Sequence, residues 1–240
     1  MEAYQLTRSR RKSLSLAIGK DGSLLVKAPN WLPKYQIEEF IRQKSDWIQA
    51  RRLEIYQIQQ QKAAHTFQEG DCFLFLGEKY YLRVRCMEQC KEKVEMQENT
   101  LTVTTENPRS AQVKEILERW YFHQAGEIFS ERTAYYYPMA AQAAEKAGEN
   151  IGCVNRITVR NQKTRWGSCS SKGNLNFNWR LLQAPKEILD YVVVHELCHL
   201  VYMNHSRQFW NLVETVLPEA MEYRSWLKQN GSLLDWEEDV

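Results

Sequence analysis

Three of the five histidines in this chain fall within the eleven residues from His195 to His205, in the order His-Glu-Leu-Cys-His-Leu-Val-Tyr-Met-Asn-His. His195, Glu196 and His199 spell H-E-x-x-H. On a helix, positions i and i+4 share a face with Cβ atoms about 5–6 Å apart, so two imidazoles can meet one ion at Zn–N distances of about 2.0–2.1 Å. His205 follows His199 at the separation found in H-E-x-x-H-x-x-G-x-x-H. A third imidazole leaves the fourth position open to water, as a catalytic zinc site requires. The chemistry would be hydrolysis. The ion lowers the pKa of water towards about 7, and Glu196 takes the proton and passes it to the leaving group. A lone histidine reads as a hydrogen-bonded core residue, but a glutamate in an apolar helix is costly to ionise without a partner. Tyr202 replaces the glycine of the longer motif, so the turn must use another residue. Asn204, which tolerates left-handed angles, is the candidate. Donors for a developing oxyanion are sought in Arg165, Tyr202 and Tyr223, against the plainer reading that both tyrosines only pack.

The elements that must hold these groups can be read outward from the motif. Pro185 fits a first helical turn, and residues 188–201 are apolar on nearly every face, which predicts a buried helix. It must break near Met203-Asn204. Ser206 can cap a further helix through Phe209, Trp210, Val213 and Val216, ended by Pro218, with one more helix over 219–229. Upstream, Leu175, Phe177, Trp179 and Leu181 alternate with polar residues, predicting a half-buried strand. Either it is a core strand, or it is a sheet edge whose Asn176, Phe177 and Asn178 could pair with an extended peptide. After Asn107-Pro108, the residues Val113, Ile116, Leu117, Trp120 and Tyr121 support a long helix. Pro138 should kink or divide it and Gly148 should end it.

The first hundred residues read as mainly β. A hairpin turns at Asp21-Gly22, a helix runs from Lys34 to about Gln61, and a second β group turns at Gly77-Glu78 and Glu98-Asn99. The expected organisation is α+β, with a mixed, mainly β module over 1–106 and a catalytic domain over 107–240.

At 240 residues, 43% apolar and with eight tryptophans, the chain can bury one sizeable core or two modest ones. No run approaches the roughly 20 apolar residues of a membrane helix and no apolar leader is visible. A cytoplasmic setting without membrane contact is therefore expected, with the six cysteines reduced. Net charge is only +2, yet 150–186 contains no acid and carries Arg156, Arg160, Lys163, Arg165, Lys172, Arg180 and Lys186. That stretch could neutralise a polyphosphate; alternatively its arginines are solvated or pair with the acidic segment that starts at Asp235. A third reading has Arg8–Lys12 and the basic stretch holding nucleic acid around a structural zinc. Such a site usually takes four protein ligands, and Cys198, the only cysteine nearby, should point elsewhere on the helix.

Four stretches carry a family resemblance: Lys163-Thr-Arg-Trp-Gly-Ser-Cys-Ser170, Asn176-Phe-Asn-Trp-Arg-Leu181, Asp190 through His199, and Asn204-His-Ser followed by Phe209-Trp210. Together they resemble the bacterial YgjP-like metal-dependent hydrolases, and the last is also similar to SprT-type metallopeptidase domains. The resemblance implies a zincin-like catalytic domain with His195, His199 and His205 as metal ligands and Glu196 as base. The family is labelled metallopeptidase by motif, and members have also been assigned a pyrophosphatase activity on UTP. The expectation is thus a hydrolase with one divalent metal, Zn2+, acting on a peptide. A nucleotide substrate is the second reading, nucleic-acid binding the third, and the oligomeric state is left open.

Overall fold

The computed structural model describes residues 3–19, 21–61 and 65–236, with backbone alone at 54, 55 and 57–61. The fold is α+β and falls into two compact units, described separately, that divide between Ala64 and His65. Among the described residues no helix is long and apolar enough to cross a membrane.

In the first unit, β1 (Tyr4–Ser9), β2 (Ser15–Ile18) and β3 (Leu24–Pro29) form a sheet in the order β1-β3-β2. The predicted hairpin is present: β2 runs antiparallel to β3, and Gly22 takes a left-handed φ of 78° at the turn. The predicted single helix is two, α1 (Lys34–Gln43) and α2 (Ser45–Gln61). Only Lys44 leaves helical geometry, and Ile48 still donates to its carbonyl, so Ile37, Ile41 and Ile48 stay buried together with Leu24, Val26 and Ala28. Arg8 is spent on structure, its Nη1 donating to the carbonyls of Pro29, Asn30 and Leu32 at 2.8–3.0 Å.

The second unit opens with β4 (Cys72–Phe75), β5 (Glu78–Cys86), β6 (Lys93–Gln97) and β7 (Thr100–Thr105), in the order β4-β5-β7-β6. Leu76 and Gly77 both take positive φ, 51° and 85°, which is the geometry of a tight hairpin turn. The expected 106/107 boundary falls inside this unit. Leu82, Leu101 and Val103 of this sheet share one core with Val113, Leu117 and Tyr121 of α3 (Ser110–Lys146), and Leu76 N donates to Leu182 O at 2.6 Å. Asn107-Pro108 therefore marks a turn within one core, not a break between two.

The helix α3 runs through Pro138 undivided. Pro138 and Ala134, whose carbonyl loses its usual partner, both lie on the exposed face, where water can satisfy it. Gly148 ends the helix as expected. At φ 78° its N–H reaches Glu145 O, and Glu149 N reaches Ala144 O, the paired bonds of a Schellman cap.

A second sheet of three short strands follows: β8 (Arg156–Arg160), β9 (Gly167–Cys169) and β10 (Asn174–Asn178), ordered β8-β10-β9. The strand predicted to reach Leu181 stops at Asn178. There the Asn178 side chain accepts from Arg180 N and starts a 3-10 turn over Trp179–Gln183, every residue of which is buried. Three helices complete the unit: α4 (Lys186–Cys198), α5 (Arg207–Val216) and α6 (Ala220–Asn230). Arg132 of α3 grips Asp190 of α4 through two bonds of 2.7 and 2.9 Å, with the Tyr136 hydroxyl at 3.2 Å. Trp236 closes the core, edge-on to Phe67, Phe73 and Tyr121, its Nε1 donating to Gln183 Oε1 at 2.7 Å.

Candidate active site

The helix α4 is apolar on nearly every side because it is buried on nearly every side: Ile188 through Val194 are all interior. It ends at Cys198, with His195 in its last turn and His199 as its C-cap. His195 and Glu196 are therefore on rigid backbone. His205 arrives by a different route. Leu200 and Val201 donate to carbonyls three residues back, tightening the helix end, and the Asn204 side chain then accepts from Ser206 N at 3.1 Å. Asn204 is not left-handed; the non-glycine residues with positive φ among those described are Phe67, Leu76, Gln89 and Glu98. The turn lacks its glycine because 3-10 tightening and an Asn side-chain bond do the work with ordinary φ values.

The three imidazoles offer ligand atoms that all lie within 4.8 Å of one another. His195 Nε2 and His205 Nε2 are 3.1 Å apart, close to the roughly 3.3 Å expected of two nitrogens bound tetrahedrally to one zinc. His199 Nδ1 is 2.9 Å from Tyr202 O; a proton on Nδ1 donated to that carbonyl leaves Nε2 as a lone-pair donor. His195 Nδ1 and Glu196 Oε2 are buried polar atoms without a protein partner. The facing Nε2 atoms of His195 and His205, with His199 close by, fit a cation held between the rings.

Electrostatics favour the same state. Burial, then the neighbouring His199 and His205, and lastly Arg224, hold the His195 pKa down to about 3, so its imidazole is neutral. Burial also lowers that of His199. Glu196 is pushed up to about 8 by burial, which makes a nearby cation the natural partner of its ionised form.

Two residues without polar groups shape this cluster, and the motif names neither. Phe209 of α5 is fully buried and packs against all three imidazoles, at ring-centroid distances of 4.9, 4.5 and 5.0 Å from His195, His199 and His205. Ser206 sets it there by capping α5, its Oγ accepting from Phe209 N at 3.3 Å. Gly167 of β9 lies on Glu196: a Cβ at that glycine would stand 2.6 Å from Oε1. Phe209 and Gly167 both lie in stretches that carry the family resemblance, but nothing in the sequence pattern placed either of them at the site.

The other sequence candidates are placed elsewhere. Asn176, Phe177 and Asn178 are not a sheet edge. β10 is the central strand, paired in parallel with β8 and antiparallel with β9. Phe177 is stacked on Phe129, Asn176 donates to Ser168 Oγ, and Asn178 Nδ2 donates to the carbonyls of Gln162 and Arg165. The strand of this sheet beside Glu196 with an unpaired edge is β9. The Tyr202 hydroxyl donates to Glu149 at 3.3 Å, and what that residue contributes at the site is its carbonyl. Tyr223 is set among Glu219, Glu187, Glu222 and Asp190, with its pKa raised first by burial and then by those acids. Such a phenol is poorly placed to stabilise another anion. Arg165 is exposed in the β8–β9 loop. Arg180 is removed from the basic approach, being buried and paired with Asp235 at 3.2 Å. A groove of about 490 Å3 borders His199 and is lined by Gly152–Asn155, by Ser170–Gly173 including Lys172, and by Met203.

A family model described as YgjP-like, metallopeptidase domain, matches residues 12–230. The chain belongs to the YgjP-like metallopeptidase family. Membership points to a metal-dependent hydrolase and implies a metal, commonly zinc, for which the histidine triad is the matching donor set. No curated protein and no solved structure matches the chain.

Proposed function

We propose that this protein is a zinc peptidase in which His195, His199 and His205 hold the ion and Glu196 is the general base. The observation that carries the reading is the convergence of the three imidazoles, with Glu196, next to His195 in the helix, buried and pressed on Gly167 of the edge strand β9. Bound there, the ion would lower the pKa of water and polarise the scissile carbonyl. The side chains divide the remaining work. The Tyr202 carbonyl fixes the His199 tautomer, and Phe209 fixes the planes of all three rings. Glu196 takes a proton from the attacking water on a carboxylate oxygen. As the C–N bond breaks it returns that proton to the leaving nitrogen, so base and acid are one residue. An extended peptide pairing with β9 would bring its carbonyl past Glu196, with an adjoining side chain in the groove next to His199.

A nucleoside triphosphate is the second reading, supported by Lys172 in that groove. One assay separates the two. The zinc-loaded protein and its Glu196→Gln variant are incubated with an unstructured protein and with UTP. The peptidase reading expects cleavage of the protein, falling by about 10²–10⁴-fold in the variant. Pyrophosphate release from UTP with intact protein substrate transfers the conclusion to the second reading.

A further inference from the structure

The helix α6 brings a cation to the cluster that no motif announces. The Arg224 guanidinium lies over the Trp210 ring, 4.5 Å from its centroid. The same indole packs against His205 at 5.7 Å and His195 at 5.6 Å. One aromatic ring thus separates a permanent positive charge from two of the three proposed ligands. Among the described residues no carboxylate pairs with Arg224, although Glu219 and Glu222 stand close by in sequence. Stacking on an indole orients a guanidinium while leaving its N–H fork unspent.

That arrangement is unfavourable for metal binding alone. A guanidinium close to a divalent cation repels it, and Arg224 has no carboxylate partner of its own among the described residues. An anionic group of the substrate would supply that partner. We propose that Arg224 binds an oxyanion of the substrate, with its fork gripping two oxygens while the scissile bond lies at the histidines. The proposal rests on reading the histidine cluster as the catalytic centre. For a peptide the oxyanion is a carboxylate, at the C-terminus or on a side chain; for a nucleotide it is a phosphate. Both are planar or near-planar pairs of acceptor oxygens at the spacing of the Arg fork.

Binding to the zinc-loaded, full-length Glu196→Gln variant tests this without turnover. The probes are an N-acetylated tripeptide with a free C-terminal carboxylate, the same peptide as its C-terminal amide, and inorganic phosphate, each titrated calorimetrically. Adding Arg224→Gln should weaken the free-acid peptide at least tenfold and leave the amide unchanged. Arg224→Lys, which keeps the charge and loses the fork, should restore only part of the affinity. Arg224→Met keeps an apolar cover on Trp210, and should behave like the glutamine variant if the charge matters and like the parent if only packing does. Phosphate binding that depends on Arg224, with carboxylate binding that does not, keeps the oxyanion site and removes the peptidase reading. Equal affinities for every probe with and without Arg224, or no binding of either anion to the parent, overturns the proposal.

Discussion

The Cα of Gly167 lies against the carboxylate of Glu196, so close that any β-carbon at Gly167 would meet Oε1 at 2.6 Å and Cδ at 2.9 Å. The edge strand is thereby held to the proposed general base at a distance that only a glycine permits. Gly167→Ala should swing Glu196 away without touching a ligand. Its kcat should drop by about 10²-fold, approaching the loss in Glu196→Gln, while zinc content by atomic absorption stays at the parent value. A drop in bound zinc would show that the strand, rather than the base, had moved.

Phe209 should matter more to stability than any single imidazole, since it packs on all three and is fully buried. Phe209→Ala should cost about 3–5 kcal/mol in urea unfolding of the metal-free protein. Phe209→Leu should recover most of that stability yet bind zinc more weakly, because a branched chain does not hold the ring planes.

The clamp between α3 and α4 is a buried ion pair, with side chains 11% and 9% exposed. Removing one partner strands the other, so Arg132→Met or Asp190→Asn should each destabilise by about 3 kcal/mol. The double variant Arg132→Met with Asp190→Leu should regain part of that loss. Independent additive losses would show that the pair is not coupled.

The metal-free protein should have opposed pH dependences at two adjacent residues. The His195 pKa is depressed from 6.5 to about 3, so between those values the unfolded chain binds the extra proton and stability falls as pH falls. The Glu196 pKa is raised from 4.5 to about 8, so in that window the folded chain binds the extra proton and stability falls as pH rises. The two effects oppose each other between 4.5 and 6.5, leaving losses on both sides. Glu196→Gln should abolish the alkaline loss alone, up to about 1.4 kcal/mol per pH unit. Unfolding midpoints of both proteins from pH 4 to 8 provide the check, and parallel curves above pH 6.5 would contradict it.

What could be read from sequence followed physical determinism. Periodicity and turn chemistry placed the helices and most strands, because glycine at 22, 77 and 148 is demanded by positive φ. The proposed ligands were legible because helical spacing alone brings His195 and His199 together. What failed was anything set by strand order. Alternation in Leu175–Leu181 is the same for a central and an edge strand, so the sequence left both readings of Asn176, Phe177 and Asn178 open and strand pairing decides for the central one. Arg224 and Gly167 were invisible as site residues for a related reason. Their positions beside His195 and Glu196 come from tertiary packing of α6 and β9, which no local pattern encodes.

The aromatic plug at Trp236 has a consequence for biosynthesis. His65 and Trp236, the first and last described residues of the second unit, have ring centroids 5.9 Å apart, so the unit closes on itself head to tail. A nascent chain grown past His205 already carries every proposed ligand and the glutamate. Until residue 236 leaves the ribosome, its core lacks the side chain that fills the space between Phe73, Tyr121 and Trp179. The proposed catalytic groups are thus synthesised about thirty residues before the packing that would lock them in place.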